Sequence, residues 1–164
     1  MASLANLRVL VADDNQHMRA IVTAVLKGIG VQHVRETHDG GEALAALREW
    51  NADVAIVDFR MEPIDGVEFT RLVRNASDSA NPFLPIIMLT GYADRVRVVE
   101  ARDAGVTELV VKPMTAKALI SRLQAVILQP RSFIRTDDYF GPDRRRKANP
   151  DYPGPERRGV GKQS

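Results

Sequence analysis

Acidic, hydroxyl and ammonium side chains stand at the ends of four short apolar runs in this sequence. These side chains are Asp13, Asp14, Asp58, Thr90 and Lys112. Carboxylates that meet in one place repel one another unless a cation neutralises them, and an all-oxygen site with water suits Mg²⁺. A carboxylate beside Mg²⁺ and an ammonium group can attack a phosphoryl group, because the two cations stabilise charge on the transferring oxygens. The residue types therefore indicate a phosphoryl-accepting Asp58, with the Thr90 hydroxyl as a hydrogen-bond donor to the transferred group.

The elements that must position these side chains follow from the hydrophobic pattern. Apolar runs at 7–12, 31–37, 53–58, 85–90 and 108–113 alternate with amphipathic stretches at 15–29, 40–50, 66–75, 92–104 and 115–128. This alternation predicts an α/β fold with a doubly wound parallel five-stranded sheet. Right-handed crossovers and a switch in strand order bring the carboxyl ends of the first, third, fourth and fifth strands to one edge. Each polar side chain alone could merely cap a strand or a helix. Four polar strand ends at one edge favour a functional site. Thr115 is a separate case and is expected to cap the last helix.

Charge and composition divide the chain near Gln129. Residues 1–129 carry 14 Lys/Arg and 16 Asp/Glu, whereas residues 130–164 carry 9 Lys/Arg, 5 Asp/Glu and five of the nine prolines. The second segment has few aliphatic side chains, so it cannot bury enough apolar surface to offset chain entropy. We expect a folded domain over 5–128 and an arginine- and proline-rich tail over 129–164 that is disordered until it binds a ligand.

Other features of the composition exclude several classes of protein. The sequence contains no cysteine for a disulfide framework or a thiolate metal site. Nothing in it resembles a signal peptide, and no apolar run approaches the ~20 residues of a membrane span, so we expect neither feature. We therefore expect a cytoplasmic protein without membrane insertion. No second apolar core follows residue 129, so we do not expect an enzyme.

Residues 5–128 resemble the receiver domain of response regulators of the CheY type. The resemblance implies a (βα)5 flavodoxin-like sheet with strand order 2-1-3-4-5 and a sensor histidine kinase as partner. It implies that Asp58 accepts the phosphoryl group. Further implied roles are Mg²⁺ binding by Asp13, Asp14, Asp58 and the backbone carbonyl of Arg60, and stabilisation of the phosphoryl group by Thr90 and Lys112, the latter followed by Pro113.

Two positions depart from the receiver pattern. Receivers usually carry an aromatic residue three positions before the lysine, and this sequence has Leu109 there. Glu62 separates Met61 from Pro63 in the loop after the acceptor, where the family often has methionine and proline adjacent. The chemistry of phosphorylation does not depend on either residue, whereas a switch based on rotation of an aromatic ring does depend on position 109.

The tail contains an internal repeat with an offset of 13 residues. Residues 138–146 and 151–159 share the pattern Asp-Tyr-x-Gly-Pro-acid-Arg-Arg. Two copies of one motif suggest two equivalent half-sites, and hence a ligand with two equivalent halves. Arginine provides forked donors for phosphate or for guanine O6 and N7, the acidic residue can accept from guanine N1–H and N2–H₂, and tyrosine offers a stacking face.

Guanine and phosphate presented twice describe cyclic di-GMP better than a generic nucleic acid. The predicted contacts are Tyr139, Asp143, Arg144, Arg145, Arg146, Tyr152, Glu156, Arg157 and Arg158. A receiver with an arginine-rich extension also resembles the CheY-like cyclic di-GMP effectors, the Cle group. That resemblance implies nucleotide binding, docking at the flagellar motor switch and recruitment to the flagellar pole.

Three functions follow from these observations. The first is a cyclic di-GMP-responsive adaptor that modulates the flagellar motor, chemotaxis or attachment. The second is a phosphorelay receiver with an incidental tail. The third is a regulator that binds nucleic acid through the basic tail, for which affinity would fall steeply with salt and show little preference for guanine.

Overall fold

The structure, a computed structural model, describes residues 4–91 and 95–144 of the chain. All ten elements predicted for the domain are present with the predicted type, and the predicted start of the fourth helix at residue 92 lies outside the described residues. The elements are β1 (Arg8–Ala12), α1 (Gln16–Gly28), β2 (His33–Thr37), α2 (Gly40–Glu49), β3 (Val54–Asp58), α3 (Gly66–Asn75), β4 (Ile86–Thr90), α4 (Arg95–Ala104), β5 (Glu108–Val111), α5 (Ala116–Leu128), β6 (Phe133–Arg135) and β7 (Phe140–Pro142).

Strands β1 to β5 form one parallel sheet in the order β2-β1-β3-β4-β5, which confirms the predicted fold. Neighbouring strands are in register at their carboxyl ends, with Asp58 opposite Leu89 and Thr90 opposite Val111. Because all five strands are parallel, these ends lie at one edge of the sheet, as the sequence predicted.

The hydrophobic core consists of two layers, one on each face of the sheet. Successive residues of a buried strand point to opposite faces. Leu10 and Val57 accordingly pack with the cluster that includes residues of α2, α3 and α4. Val11 and Ile56 pack with the cluster that includes residues of α1 and α5. Both faces of the sheet are covered by helices, so its carboxyl edge is left as the place for a site.

Side-chain caps fix the starts of four helices. Asn15, Asp39, Asp65 and Thr115 each accept a hydrogen bond from the backbone N–H three residues further on, at 3.0, 2.7, 2.8 and 3.0 Å. The predicted role of Thr115 as an N-cap is therefore confirmed. Each cap satisfies a backbone donor that the helix itself leaves unpaired.

The first part of the segment expected to be a disordered tail is ordered in the structure. Strands β6 and β7 pair antiparallel, with Ile134 opposite Gly141. Tyr139 and Phe140 are buried, so the chain stays packed against the domain beyond the predicted boundary at Gln129. The averaged composition of 129–164 concealed this hairpin because its aromatic residues are concentrated between positions 133 and 140.

An aromatic cluster joins the hairpin to the domain. Phe83, which precedes β4, lies 5.1 Å from Phe133 and 5.4 Å from Phe140 between ring centroids, in edge-to-face arrangements. Phe133 and Phe140 are themselves 5.4 Å apart. Such pairs contribute about 0.5–1.5 kcal/mol each beyond the burial of their apolar area. The cluster therefore holds the start of the tail against the amino edge of the sheet.

Arg74 of α3 is buried beneath this cluster, with 2% of its surface exposed. Its guanidinium donates to the carbonyl oxygens of Gly105 and Pro82, each at 3.0 Å, and lies 5.0 Å from the Phe133 ring. Burial lowers the pKa of Arg74 to about 10. Gly105 has a φ of +107°, and a Cβ there would lie 2.9 Å from Arg74 Cγ. The arginine thus connects α3, the turn after α4 and the hairpin.

Among the residues that the structure describes, no helix is both long enough and apolar enough to cross a membrane.

The packing of Gly141 against Tyr139 predicts the effect of a single methyl group. A Cβ at Gly141 would lie 2.6 Å from Tyr139 Oη, and this hydroxyl donates to the Pro142 carbonyl at 2.7 Å. Gly141→Ala should therefore displace the hairpin. Hydrogen exchange should show loss of protection at the Thr136 and Asp143 amides, which bond across the hairpin at 2.7 Å.

The matched control is Gly28→Ala, because no atom lies within 4 Å of a Cβ built at Gly28. It should leave those two amides protected. Unchanged protection in the Gly141→Ala variant would show that the hairpin tolerates the methyl group and that its packing is looser than described.

Candidate functional site

Strand order brings the predicted acidic residues together at the carboxyl edge of the sheet. Asp13 and Asp14 follow β1, and Asp58 ends β3, which is the neighbour of β1. Carboxylate oxygens of these three residues all lie within 4.8 Å of one another. Asp13 and Asp58 are buried and Asp14 is exposed. The cluster is therefore open to solvent on the Asp14 side.

Asp58 is held by one ammonium group and one backbone donor. Its Oδ1 lies 2.5 Å from Lys112 Nζ, and its Oδ2 accepts a hydrogen bond from the Arg60 N–H at 3.1 Å. Only 4% of the surface of Asp58 is exposed. Burial raises the pKa of the Asp58 carboxyl above its ordinary value, while Lys112 and the Arg60 amide oppose that shift. The carboxylate is thus fixed in orientation beside a cation.

Gly66, at the start of α3, packs directly against the backbone of Asp58. A Cβ at this position would collide with the carbonyl oxygen of Asp58 and lie 3.1 Å from Met88 Cε. The Gly66 N–H donates to the carbonyl of Phe59 at 3.0 Å. The residue after the Asp65 cap must therefore be small, so that α3 can approach the backbone of the acceptor.

Asp13 has an incompletely satisfied carboxylate. Its Oδ1 accepts from the Asn15 N–H at 2.9 Å, whereas Oδ2 is buried and has no hydrogen-bond partner among the described residues. Burial raises the pKa of Asp13 from 3.8 to about 6, the Asn15 amide lowers it, and the charge of Asp58 raises it further. A buried carboxylate oxygen without a partner is costly unless a cation or a proton satisfies it.

The donor set fits Mg²⁺. Three carboxylates with a solvent-facing opening supply hard oxygen ligands and room for water, which is what this ion requires. The unpartnered Oδ2 of Asp13 is a second indication, because a cation would satisfy it. The carbonyl of Arg60, the fourth predicted ligand, belongs to the loop that also contacts Asp58, and its role as a ligand stays a prediction.

Thr90 and Lys112 lie where the sequence placed them. Thr90 ends β4 between the acceptor strand and β5 and is 2% exposed. The Lys112 N–H donates to the Thr90 carbonyl at 2.8 Å, and the peptide bond from Lys112 to Pro113 is cis. Leu109 is half-buried and packs against the core cluster on the α4 side, so the residue at the usual aromatic position is fixed by aliphatic packing.

The tail residues are placed differently from the expectation for base stacking. Tyr139 is 9% exposed, and its ring is covered by the guanidinium of Arg144 at 4.5 Å. Its face is therefore occupied within the protein. Arg144 also forms an ion pair with Asp103 of α4. Asp143 donates its N–H to the Ser132 carbonyl at 2.7 Å. The remaining predicted contacts lie outside the described residues; they are Arg145, Arg146, Tyr152, Glu156, Arg157 and Arg158.

Sequence reasoning missed Arg102 and Arg122, the two domain arginines that the fold places beside the hairpin. Arg102 of α4, Arg122 of α5 and Arg131 line one pocket with Arg144. These residues belong to separate elements and follow no common spacing, so the sequence contained no signal for the cluster. Charge counting found the basic tail but not the basic surface of the domain beside it.

Comparisons with known proteins agree with this geometry. Residues 9–124 match the family model described as the response regulator receiver domain. The chain is 33% identical to the chemotaxis protein CheY-3 of Vibrio cholerae over 121 residues, which cover 74% of this chain and 92% of the relative. It is 34% identical to the chemotaxis protein CheY of Pseudomonas aeruginosa over 120 residues, covering 73% of this chain and 95% of the relative.

Solved structures show the same fold. The chemotaxis protein CheY4 of Vibrio cholerae superposes with a TM-score of 0.68 at 35% identity, covering 73% of this chain and 98% of that one. A putative response regulator from Chloroflexus aurantiacus superposes with a TM-score of 0.69 at 27% identity, covering 76% and 100%.

The crowded carboxylates predict that Asp13→Asn stabilises the protein when no divalent cation is present. Because the pKa of Asp13 is raised, the folded protein binds protons more tightly than the unfolded chain. The contribution of Asp13 to stability is therefore fully present below its unfolded pKa and is lost as pH rises through about 6. Denaturation in EDTA should show the advantage of Asp13→Asn growing between pH 4 and pH 7, to at most about 3 kcal/mol.

Adding Mg²⁺ should then stabilise the wild-type chain more than the Asp13→Asn variant, because the variant loses a ligand. Asp137→Asn, which removes an exposed carboxylate of the hairpin loop, is the control and should respond to Mg²⁺ like wild type. Equal stabilisation of all three proteins by Mg²⁺ would place the cation elsewhere.

Proposed function

The chain belongs to the response regulator receiver domain family, and on that premise we propose that it is a signalling protein phosphorylated on Asp58 by a sensor histidine kinase. The single observation that carries the proposal is the contact of Asp58 with Lys112 at 2.5 Å beside two further carboxylates. This arrangement combines a nucleophile, a fixed ammonium group and oxygen ligands for a divalent cation in one cluster.

The reaction is the transfer of a phosphoryl group from a phosphohistidine. An oxygen of Asp58 forms a new P–O bond, the P–N bond of the donor breaks, and the histidine nitrogen leaves with the electron pair. Lys112 lies where it stabilises negative charge on the transferring oxygens. Bound by Asp13, Asp14 and Asp58, Mg²⁺ would neutralise the carboxylates and the incoming phosphoryl oxygens.

The residues around Asp58 orient the nucleophile and limit access to it. The Arg60 N–H holds Oδ2, and Gly66 lets α3 close behind the acceptor. Thr90, buried on the intervening strand, is the hydroxyl that would hydrogen-bond the transferred group. The ion pair with Lys112 opposes the effect of burial on the pKa of Asp58 and so favours the ionised form, which a nucleophilic carboxylate requires.

A second proposal concerns the tail and is favoured by the repeat at 138–146 and 151–159. We infer that the tail binds cyclic di-GMP and that binding presents a surface to a partner at the flagellar motor switch. The guanidinium of Arg144 supports it, since its side chain is 45% exposed and is held next to the domain. Relatives named as chemotaxis proteins support the motility role.

The two proposals are compatible because they use different parts of the chain. The phosphoacceptor lies at the carboxyl edge of the sheet, whereas β6 and β7 pack at its amino edge against Phe83 and Gly105. Nucleotide binding would therefore act as a second input rather than replace phosphorylation.

Beryllofluoride tests the first proposal, because it mimics a phosphoryl group on a carboxylate. In the presence of Mg²⁺ it should shift the amide resonances of residues near Asp58, Thr90 and Lys112. Asp58→Asn should abolish the shifts, since the amide cannot form the aspartyl adduct. Asp137→Asn should keep them. An unchanged amide spectrum of the wild-type chain would disprove phosphorylation chemistry at this site.

Calorimetry with cyclic di-GMP tests the second proposal on the full chain. If both repeats bind one ligand, replacing Arg144 and Arg157 together by glutamine should weaken binding more than either change alone. Arg48→Gln on the exposed end of α2 is the control for each single change, since it also removes one positive charge. Binding of single-stranded RNA with a steep salt dependence, and no binding of cyclic di-GMP, would instead favour the nucleic-acid alternative.

A further inference from the structure

A pocket of about 210 Å³ lies where the hairpin meets α4, β5 and α5. Four arginines line it, against two carboxylates. These charged residues are Arg102, Arg122, Arg131, Arg144, Glu108 and Asp143. The formal excess of positive charge indicates an anionic ligand. The volume is smaller than that of drug-sized sites, which begin at about 300 Å³, and suits a phosphate with part of an attached sugar.

Glu108 forms ion pairs with two of the arginines. Its side chain is 6% exposed, at the amino end of β5. Arg131 Nη2 lies 3.3 Å from its Oε2, and Arg122 Nε lies 3.9 Å from its Oε1. Arg131 also donates to the Asp143 carbonyl at 3.1 Å. One buried carboxylate therefore orients the Arg131 guanidinium, attracts that of Arg122 and neutralises one positive charge.

Arg122 and Arg102 retain donors for a ligand. In the part of the chain that the structure describes, Arg122 makes its contacts through Nε only, to Glu108 and to the Leu109 carbonyl at 3.1 Å. Its two terminal nitrogens remain. Arg102, exposed on α4, forms no ion pair with a described carboxylate. Two forked donors on neighbouring elements match the geometry of phosphate oxygens.

The hairpin supplies the fourth arginine. Arg144 lies over the Tyr139 ring at 4.5 Å and is paired with Asp103 of α4. Tyr139 itself is fixed by its hydrogen bond to the Pro142 carbonyl. The first copy of the tail motif therefore places its arginine at a pocket whose other walls come from both the domain and the hairpin segment.

We propose that this pocket binds a phosphate group of a nucleotide, with Arg102 and Arg122 as direct ligands and Arg144 closing the site from the tail. The contacts of the pocket support phosphate binding by themselves, whereas the choice of cyclic di-GMP as the nucleotide rests on the tail proposal above. The nucleotide is then bound jointly by the domain and the tail.

The test is calorimetric titration of the full chain, in EDTA, with cyclic di-GMP and separately with inorganic pyrophosphate. Replacing both Arg102 and Arg122 by glutamine should weaken binding of both ligands by about tenfold or more, since two charged hydrogen-bond donors are lost. The matched control replaces Arg95 and Lys117, exposed on the same two helices, by glutamine. That control should keep close to wild-type affinity.

A second variant distinguishes loss of binding from loss of folding. Replacing Arg102 and Arg122 by lysine keeps the charge but removes the fork, so binding should fall to an intermediate value. Hydrogen exchange at the Asp143 amide reports whether the hairpin remains docked in each variant. The Arg122 Nε–H resonance should shift on titration with pyrophosphate, because that group lies in the pocket.

The outcomes separate the two proposals. If cyclic di-GMP binds the glutamine variant as well as wild type, the pocket is not the site and the tail alone holds the nucleotide. If pyrophosphate binding depends on Arg102 and Arg122 while cyclic di-GMP does not bind, the pocket is supported and the nucleotide is a different one. If neither ligand binds, both proposals are wrong.

Discussion

The ion pair between Asp58 and Lys112 is the interaction on which the arrangement at the sheet edge depends. Burial opposes ionisation of Asp58, and the ammonium group at 2.5 Å compensates for part of that cost. The pair spans β4, so it requires that β3 and β5 flank one strand and end in register. Strand order therefore brings Asp58 and Lys112 into contact although they lie 54 positions apart in the sequence.

The hairpin attaches the charge-rich segment after residue 129 to the domain. Chain entropy opposes the ordering of polar sequence, and burial of the aromatic side chains of residues 133–140 offsets part of this cost. Phe83 and buried Arg74 form the receiving surface on the domain. The arginines that follow are consequently held beside α4, and the start of the tail has a defined position relative to the domain.

Strand β5 connects the two regions. Glu108 at its amino end binds Arg131 of the pocket, and Lys112 directly after its carboxyl end contacts Asp58. Four residues of strand span only about 13 Å. Leu109 lies between them, at the position where the receiver pattern usually has an aromatic residue. Leucine has no ring whose rotation could act as a switch. Any coupling between the two sites would have to pass through the strand and its neighbours in another way.

The sequence alone determined the parallel α/β fold and the meeting of Asp58 with Asp13 and Asp14, because hydrophobic periodicity is local and parallel strands end at a common edge. It also determined the cap at Thr115, which depends on one side chain and one nearby amide. Tertiary structure alone decided that Tyr139 is covered by Arg144 and that Arg102 and Arg122 share a pocket. Those contacts join elements far apart in sequence, and their geometry follows from packing, which residue spacing does not record.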